Sequence, residues 1–103
     1  MKRSLEEIKK ILKDILPEIR EKYGVKKIGV FGSYVKGEET PESDLDILIE
    51  FEEHARISLI DFVELEQYLS EILGIKVDLV EKTALKPRIG RRILEEVVYI
   101  TPF

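Results

Sequence analysis

The chain predicts an α/β (α+β) fold, a small mixed sheet with helices packed on one of its faces, for three reasons. Apolar residues recur at three- and four-residue steps in some segments and alternate in others, so helical and extended periods share one chain. Gly and Pro fall between those segments rather than inside most of them. At 103 residues and 44% hydrophobic content there is enough Ile, Leu and Val for one core and too little chain for two, so a single domain over 1–103 is expected.

The first element is a helix. Ser4-Leu5-Glu6-Glu7 has the form of a capping box, and Leu5, Ile8, Ile11, Leu12, Ile15, Leu16 and Ile19 make one apolar stripe behind it. Pro17 should kink or split this helix near Leu16, because its ring blocks an i−4 bond, and Gly24 should end it. Val25 to Phe31, rich in β-branched residues, reads as a strand. Asp44 to Phe51 alternates: Leu45, Ile47, Ile49 and Phe51 point one way, and Asp44, Asp46, Leu48 and Glu50 the other. Ser58, with Asp61 three residues on, opens a second helix carrying Ile60, Val63, Leu69, Ile72 and Leu73, which Gly74 closes. Ile75 to Val80 is a third strand with Asp78 opposite Ile75, Val77 and Leu79. Lys86-Pro87 starts a third helix through Glu95 and Glu96, and Val97-Val98-Tyr99-Ile100 should dock back on the body. The expected order is α-β-β-α-β-α, with Asp44, Asp46 and Asp78 pointing from the sheet face that the helices leave open.

Charge is unevenly placed. The formal net charge is −4, yet Gly37 to Ala55 holds eight acids and no Lys or Arg, leaving 13 acids against 17 bases elsewhere. Lys82, Lys86, Arg88, Arg91 and Arg92 form a cationic cluster that reads first as a solvated helix face. A negative net charge with no basic stretch interleaved by aromatics argues against nucleic acid as main ligand. The absence of Cys excludes a disulfide framework and Cys-ligated metal sites. No apolar run approaches the ~18 residues of a membrane span, and no signal-peptide pattern opens the chain, so no membrane partner and a cytoplasmic location are expected. His54, beside Glu52 and Glu53, reads as a solvated strand-end residue.

Two local features carry chemistry. Gly32-Ser33 directly follows a strand, where a Gly lets backbone N–H groups approach a phosphate. A Walker A loop is excluded because Gly37 is followed by Glu38-Glu39, and a dinucleotide fingerprint because the three-glycine run is missing. Asp44 and Asp46 sit two apart on a strand, so their carboxylates leave one face about 6.6 Å apart along the backbone. At about 4 Å two such anions repel by roughly 4 kcal/mol at an effective dielectric near 20, which a strand accepts if they stay solvated or share a cation. Asp78 adds a third carboxylate if its strand lies alongside. Oxygen ligands of this kind suit Mg²⁺, and three carboxylates can hold two such ions for in-line phosphoryl transfer.

Gly32-Ser33, Gly37 and Ser43-Asp44-Leu45-Asp46-Ile47-Leu48-Ile49 together resemble the signature G-S-x₃-G-x₅-S-D-x-D of the DNA polymerase β-like nucleotidyltransferases. The chain is particularly similar to the MNT group, the minimal nucleotidyltransferases, almost from end to end. The resemblance implies the nucleotidyltransferase fold and a Mg²⁺-dependent transfer of AMP from ATP to a hydroxyl. Asp44, Asp46 and Asp78 would be the catalytic residues and would hold two Mg²⁺ ions. Gly32, Ser33, Lys36 and Ser43 would form the nucleotide-binding set, Gly32 and Ser33 at the β- and γ-phosphates. Tyr34 and Lys36 depart from the Arg-rich version of the motif, and Lys36 keeps the charge without a bidentate fork. The resemblance also implies a HEPN-type toxin as partner, with this chain as its antitoxin and the acceptor hydroxyl on a protein. Two alternatives remain open: a catalytically weak antitoxin acting by contact, and a small-molecule (aminoglycoside-like) nucleotidyltransferase.

Overall fold

A computed structural model describes residues 3–100. Helix α1 (Leu5–Tyr23) begins at a complete capping box: the Ser4 hydroxyl accepts from the Glu7 N–H, and the Glu7 carboxylate accepts from the Ser4 N–H. It buries Ile8, Leu12, Ile15, Leu16, Ile19 and Tyr23. The helix does not split at Pro17. That residue is solvent-exposed, so water can satisfy the carbonyl it leaves without a partner.

Strand β1 (Val25–Phe31) leads through Gly32 into a one-turn helix α2 (Ser33–Lys36), an element additional to the expected α-β-β-α-β-α order. Strand β2 (Leu45–Phe51), helix α3 (Leu59–Leu73) and strand β3 (Val77–Glu81) follow. A 3₁₀ turn at Lys82–Ala84 then leads to helix α4 (Pro87–Glu96), with Pro87 at its first position. Val98–Tyr99 forms a short strand β4, so the apolar end docks by joining the sheet.

The sheet has the order β3-β2-β1-β4. β2 runs antiparallel to β1 and parallel to β3, the latter after the α3 crossover, and the sheet is therefore mixed. Ile28, Val30, Leu45, Ile47, Ile49, Val77 and Leu79 form one face and join α1 and α3 in the main core. On α3 the core stripe is Leu65, Leu69 and Leu73, one residue per turn along one line. Ile60 and Val63, read from the sequence among the apolar residues this helix carries, are instead 77% and 40% exposed, because Ile60 falls about 180° and Val63 about 120° round the helix from Leu69. The face opposite α1 and α3 is not wholly bare: Phe31 and Leu48 are buried outside the main core. The chain end closes near β1 so tightly that a Cβ on Gly29 would come within 2.7 Å of Val97 Cγ2.

Among the described residues no helix is long and apolar enough to cross a membrane.

Candidate functional site

The site forms where β1 ends and β2 begins. In the antiparallel pair Phe31 lies opposite Asp46, so the residue after Phe31 is brought to the Asp46 side chain. That residue is Gly32, whose backbone has φ +80° and ψ −151°, a conformation essentially confined to glycine. A Cβ at this position would collide with Asp46 Oδ2 and lie 3.1 Å from Asp46 Cγ. Gly32 thus turns the chain sharply into α2 and leaves the space that the Asp46 carboxylate fills.

Asp78 arrives from the other side. In the parallel β2–β3 pair Asp46 and Asp78 are direct register partners, flanked by Leu45–Val77 and Ile47–Leu79 in the core. β3 is an edge strand, and its outward N–H groups are taken by α3: Val77 N–H donates to Ser70 Oγ (3.0 Å) and Leu79 N–H to Glu66 Oε2 (2.9 Å). These bonds blunt the edge and hold the residues on either side of Asp78. Asp44 lies just before β2, exposed, with Leu45 N–H donating to the Lys76 carbonyl (2.8 Å).

The electrostatics follow from this crowding. Burial, then the negative charges of Asp78, Asp44 and Glu96, push the Asp46 carboxyl from its usual 3.8 up to about 6. Four acids therefore share one corner of the fold, and Asp46 is the most confined of them. Among the described residues no group of three or more His, Cys, Asp or Glu side chains is arranged to hold a metal ion by itself. An anionic donor set of this kind fits a hard divalent cation that keeps waters and completes its shell with substrate phosphate oxygens, as Mg²⁺ does.

Ser33 opens α2, and Lys36 closes it. The Ser43 hydroxyl accepts from the Thr40 N–H (2.8 Å), so it is engaged in the 40–43 turn that delivers Asp44 and β2. Ser43 and Asp44 also line an open cleft of about 780 Å³ with Tyr34, Ile75 and Lys76. Of the cationic cluster, Lys82 pairs with Glu50 (3.4 Å), while Lys86, Arg88, Arg91 and Arg92 are exposed along α4. His54 is exposed in the turn after β2.

Sequence reasoning missed Glu96. Its carboxylate accepts from the Gly32 N–H (Oε1, 3.0 Å) and pairs with Lys36 Nζ (Oε2, 3.3 Å). One signal could have marked it: an acid in the last turn of a helix stands at the negative end of the dipole, where it needs an outside partner.

A family model described as a nucleotidyltransferase domain matches residues 5–100. The chain is 54% identical over 97 residues to the protein adenylyltransferase MntA of Thermococcus cleftensis, covering 94% of this chain and 96% of that one. It superposes on a solved structure provisionally designated a minimal nucleotidyltransferase with a TM-score of 0.76 and 32% identity, over 93% of this chain and 95% of the other. It also shares its fold, at a TM-score of 0.65 and 20% identity, with a chain of a Shewanella oneidensis complex between a tri-AMPylated HEPN toxin and an MNT antitoxin. That match covers 92% of this chain and 73% of the other.

Proposed function

The chain belongs to the nucleotidyltransferase domain family, and from that footing we propose that it transfers AMP from ATP to a hydroxyl on a partner protein, as antitoxin to a HEPN-type toxin. The observation that carries the reading is the pairing of Asp46 with Asp78 across β2 and β3, with Asp46 lodged against the Gly32 turn. A fold gains nothing from placing mutually repelling carboxylates in register unless something cationic comes between them. The relative's name, protein adenylyltransferase, supports the nucleotide and the acceptor class.

In this reading Asp44, Asp46 and Asp78 hold Mg²⁺, and Gly32, Ser33 and Lys36 receive the β- and γ-phosphates, with Ser43 fixing the turn that aligns Asp44. Bound Mg²⁺ would neutralise charge developing on the phosphoryl oxygens. The chain's own part is positional. The Gly32 turn directly follows β1, and Asp46 and Asp78 sit in register on adjacent strands, so the triphosphate and the acceptor meet with little reorganisation. The acceptor oxygen forms a bond to the α-phosphorus, the bond from that phosphorus to the bridging oxygen breaks, and pyrophosphate leaves with the electron pair. The hydroxyl proton passes to water. The cleft lined by Tyr34, Ser43, Asp44, Ile75 and Lys76 is open, which suits a macromolecular acceptor better than a small enclosed one.

The test incubates the chain with labelled ATP, Mg²⁺ and the protein product of the neighbouring gene, which this reading expects to be of HEPN type. Label should move to that protein and should cease to move with Asp44→Asn or Asp46→Asn. Tight neutralising binding without transfer, indifferent to both substitutions, would overturn the reading in favour of an antitoxin acting by contact.

A further inference from the structure

Glu96 makes two contacts, and both are with groups that the proposed reading assigns to the triphosphate. Its Oε1 takes the Gly32 N–H at 3.0 Å and its Oε2 sits 3.3 Å from Lys36 Nζ. A carboxylate bridging a backbone N–H at a glycine turn and a lysine ammonium presents two anionic oxygens to two donors, which is the arrangement a phosphate group would make there. The residue comes from far along the chain, at the last position of α4, where the helix dipole opposes its charge. Its side chain is only 25% exposed, so Gly32 and Lys36 are what stabilise it. Its charge is also among those that raise the Asp46 carboxyl, so it reaches the carboxylate corner.

We infer that Glu96 is an intramolecular competitor for the β,γ-phosphate subsite, and so a residue that holds down the affinity for triphosphate. This inference rests on the proposed nucleotide site and deepens it. A ligand gains the Gly32 N–H and Lys36 only by displacing Glu96, which takes enough negative charge to outbid a carboxylate already in place. ATP brings two further phosphates to those donors. AMP brings none, and gains nothing from them whether Glu96 is present or not. After transfer, the return of Glu96 to Gly32 and Lys36 opposes retention of pyrophosphate.

The experiment measures equilibrium binding of Mg²⁺–ATP and of AMP to the full chain by calorimetry, for the wild type, Glu96→Gln and Glu96→Ala. Glu96→Gln keeps an oxygen for the Gly32 N–H while removing the charge that holds Lys36, so it remains informative if the Ala variant loses its fold. Both variants should bind ATP about fivefold or more tightly than the wild type, while AMP affinity stays within about twofold. Variants that bind ATP where the wild type does not would support the inference equally. Wild-type binding that neither variant strengthens would overturn the competitor role alone. ATP binding by none of the three proteins would overturn both the competitor role and the nucleotide site.

Discussion

Gly32 rests against the carboxylate of Asp46, so closely that a Cβ on the glycine would collide with Asp46 Oδ2. The contact ties the glycine turn at the end of β1 to an acid whose carboxyl is pushed up by burial and neighbouring negative charge.

Gly32→Ala should therefore fail twice. Its backbone, at φ +80° and ψ −151°, is strained for any residue with a Cβ, at a cost of about 1–3 kcal/mol. The new methyl must also push Asp46 aside. Thermal unfolding should show the lost stability, and a transfer assay at a temperature where the variant stays folded should show at least about a hundredfold loss of rate. A variant that folds less stably yet transfers at the wild-type rate would contradict this.

Asp46→Asn should stabilise the metal-free protein at pH 7. The folded carboxyl, at about 6, holds its proton more tightly than the unfolded one at 3.8, so this group weakens the fold as pH rises from about 4 through 6. The full shift overstates the cost because solvent reaches the side chain, and about 1 kcal/mol is the expected gain. Melting curves should show the variant's advantage at pH 7 shrinking toward pH 4. Added Mg²⁺ should raise the wild-type midpoint more than the variant's.

Ser70→Ala should cost about 1–2 kcal/mol by leaving the Val77 N–H without its acceptor. Because Val77 precedes Asp78, the substitution should also weaken Mg²⁺ affinity, read as a higher metal concentration at half-maximal transfer with little change at saturation. An unchanged metal requirement would separate the β3 edge from the site.

On α3, Ile60→Asn should leave stability within about 0.5 kcal/mol, whereas Leu69→Ala should cost about 2–5 kcal/mol. Ile60 is 77% exposed and Leu69 is fully buried, and denaturant midpoints measure the difference directly. Comparable losses in the two variants would put the core stripe back through Ile60.

The elements most legible in the sequence are those made by neighbours. Ser4 with Glu7, and Ser58 with Asp61, cap their helices within three residues. The β2 alternation places Leu45, Ile47 and Ile49 in the core, and Gly32-Ser33 with Asp44 and Asp46 form one short stretch around a single turn. The face of α3 was less legible: Ile60, Val63, Leu65 and Leu69 are all apolar, so composition alone does not choose the stripe. Packing against α1 and the sheet selects Leu65, Leu69 and Leu73.

The sequence by itself determined the fold class and the family, and singled out the three aspartates as candidates, because period, capping and a compact motif are set by residues close along the chain. Only the tertiary structure decided that Asp78 stands in register with Asp46 and that Glu66 and Ser70 steady the strand bearing it. It also decided which of Glu95 and Glu96 reaches the Gly32 N–H, 64 residues away. Strand register and cross-chain hydrogen bonds arise from how the elements pack, and two adjacent glutamates carry no mark of which will be turned inward.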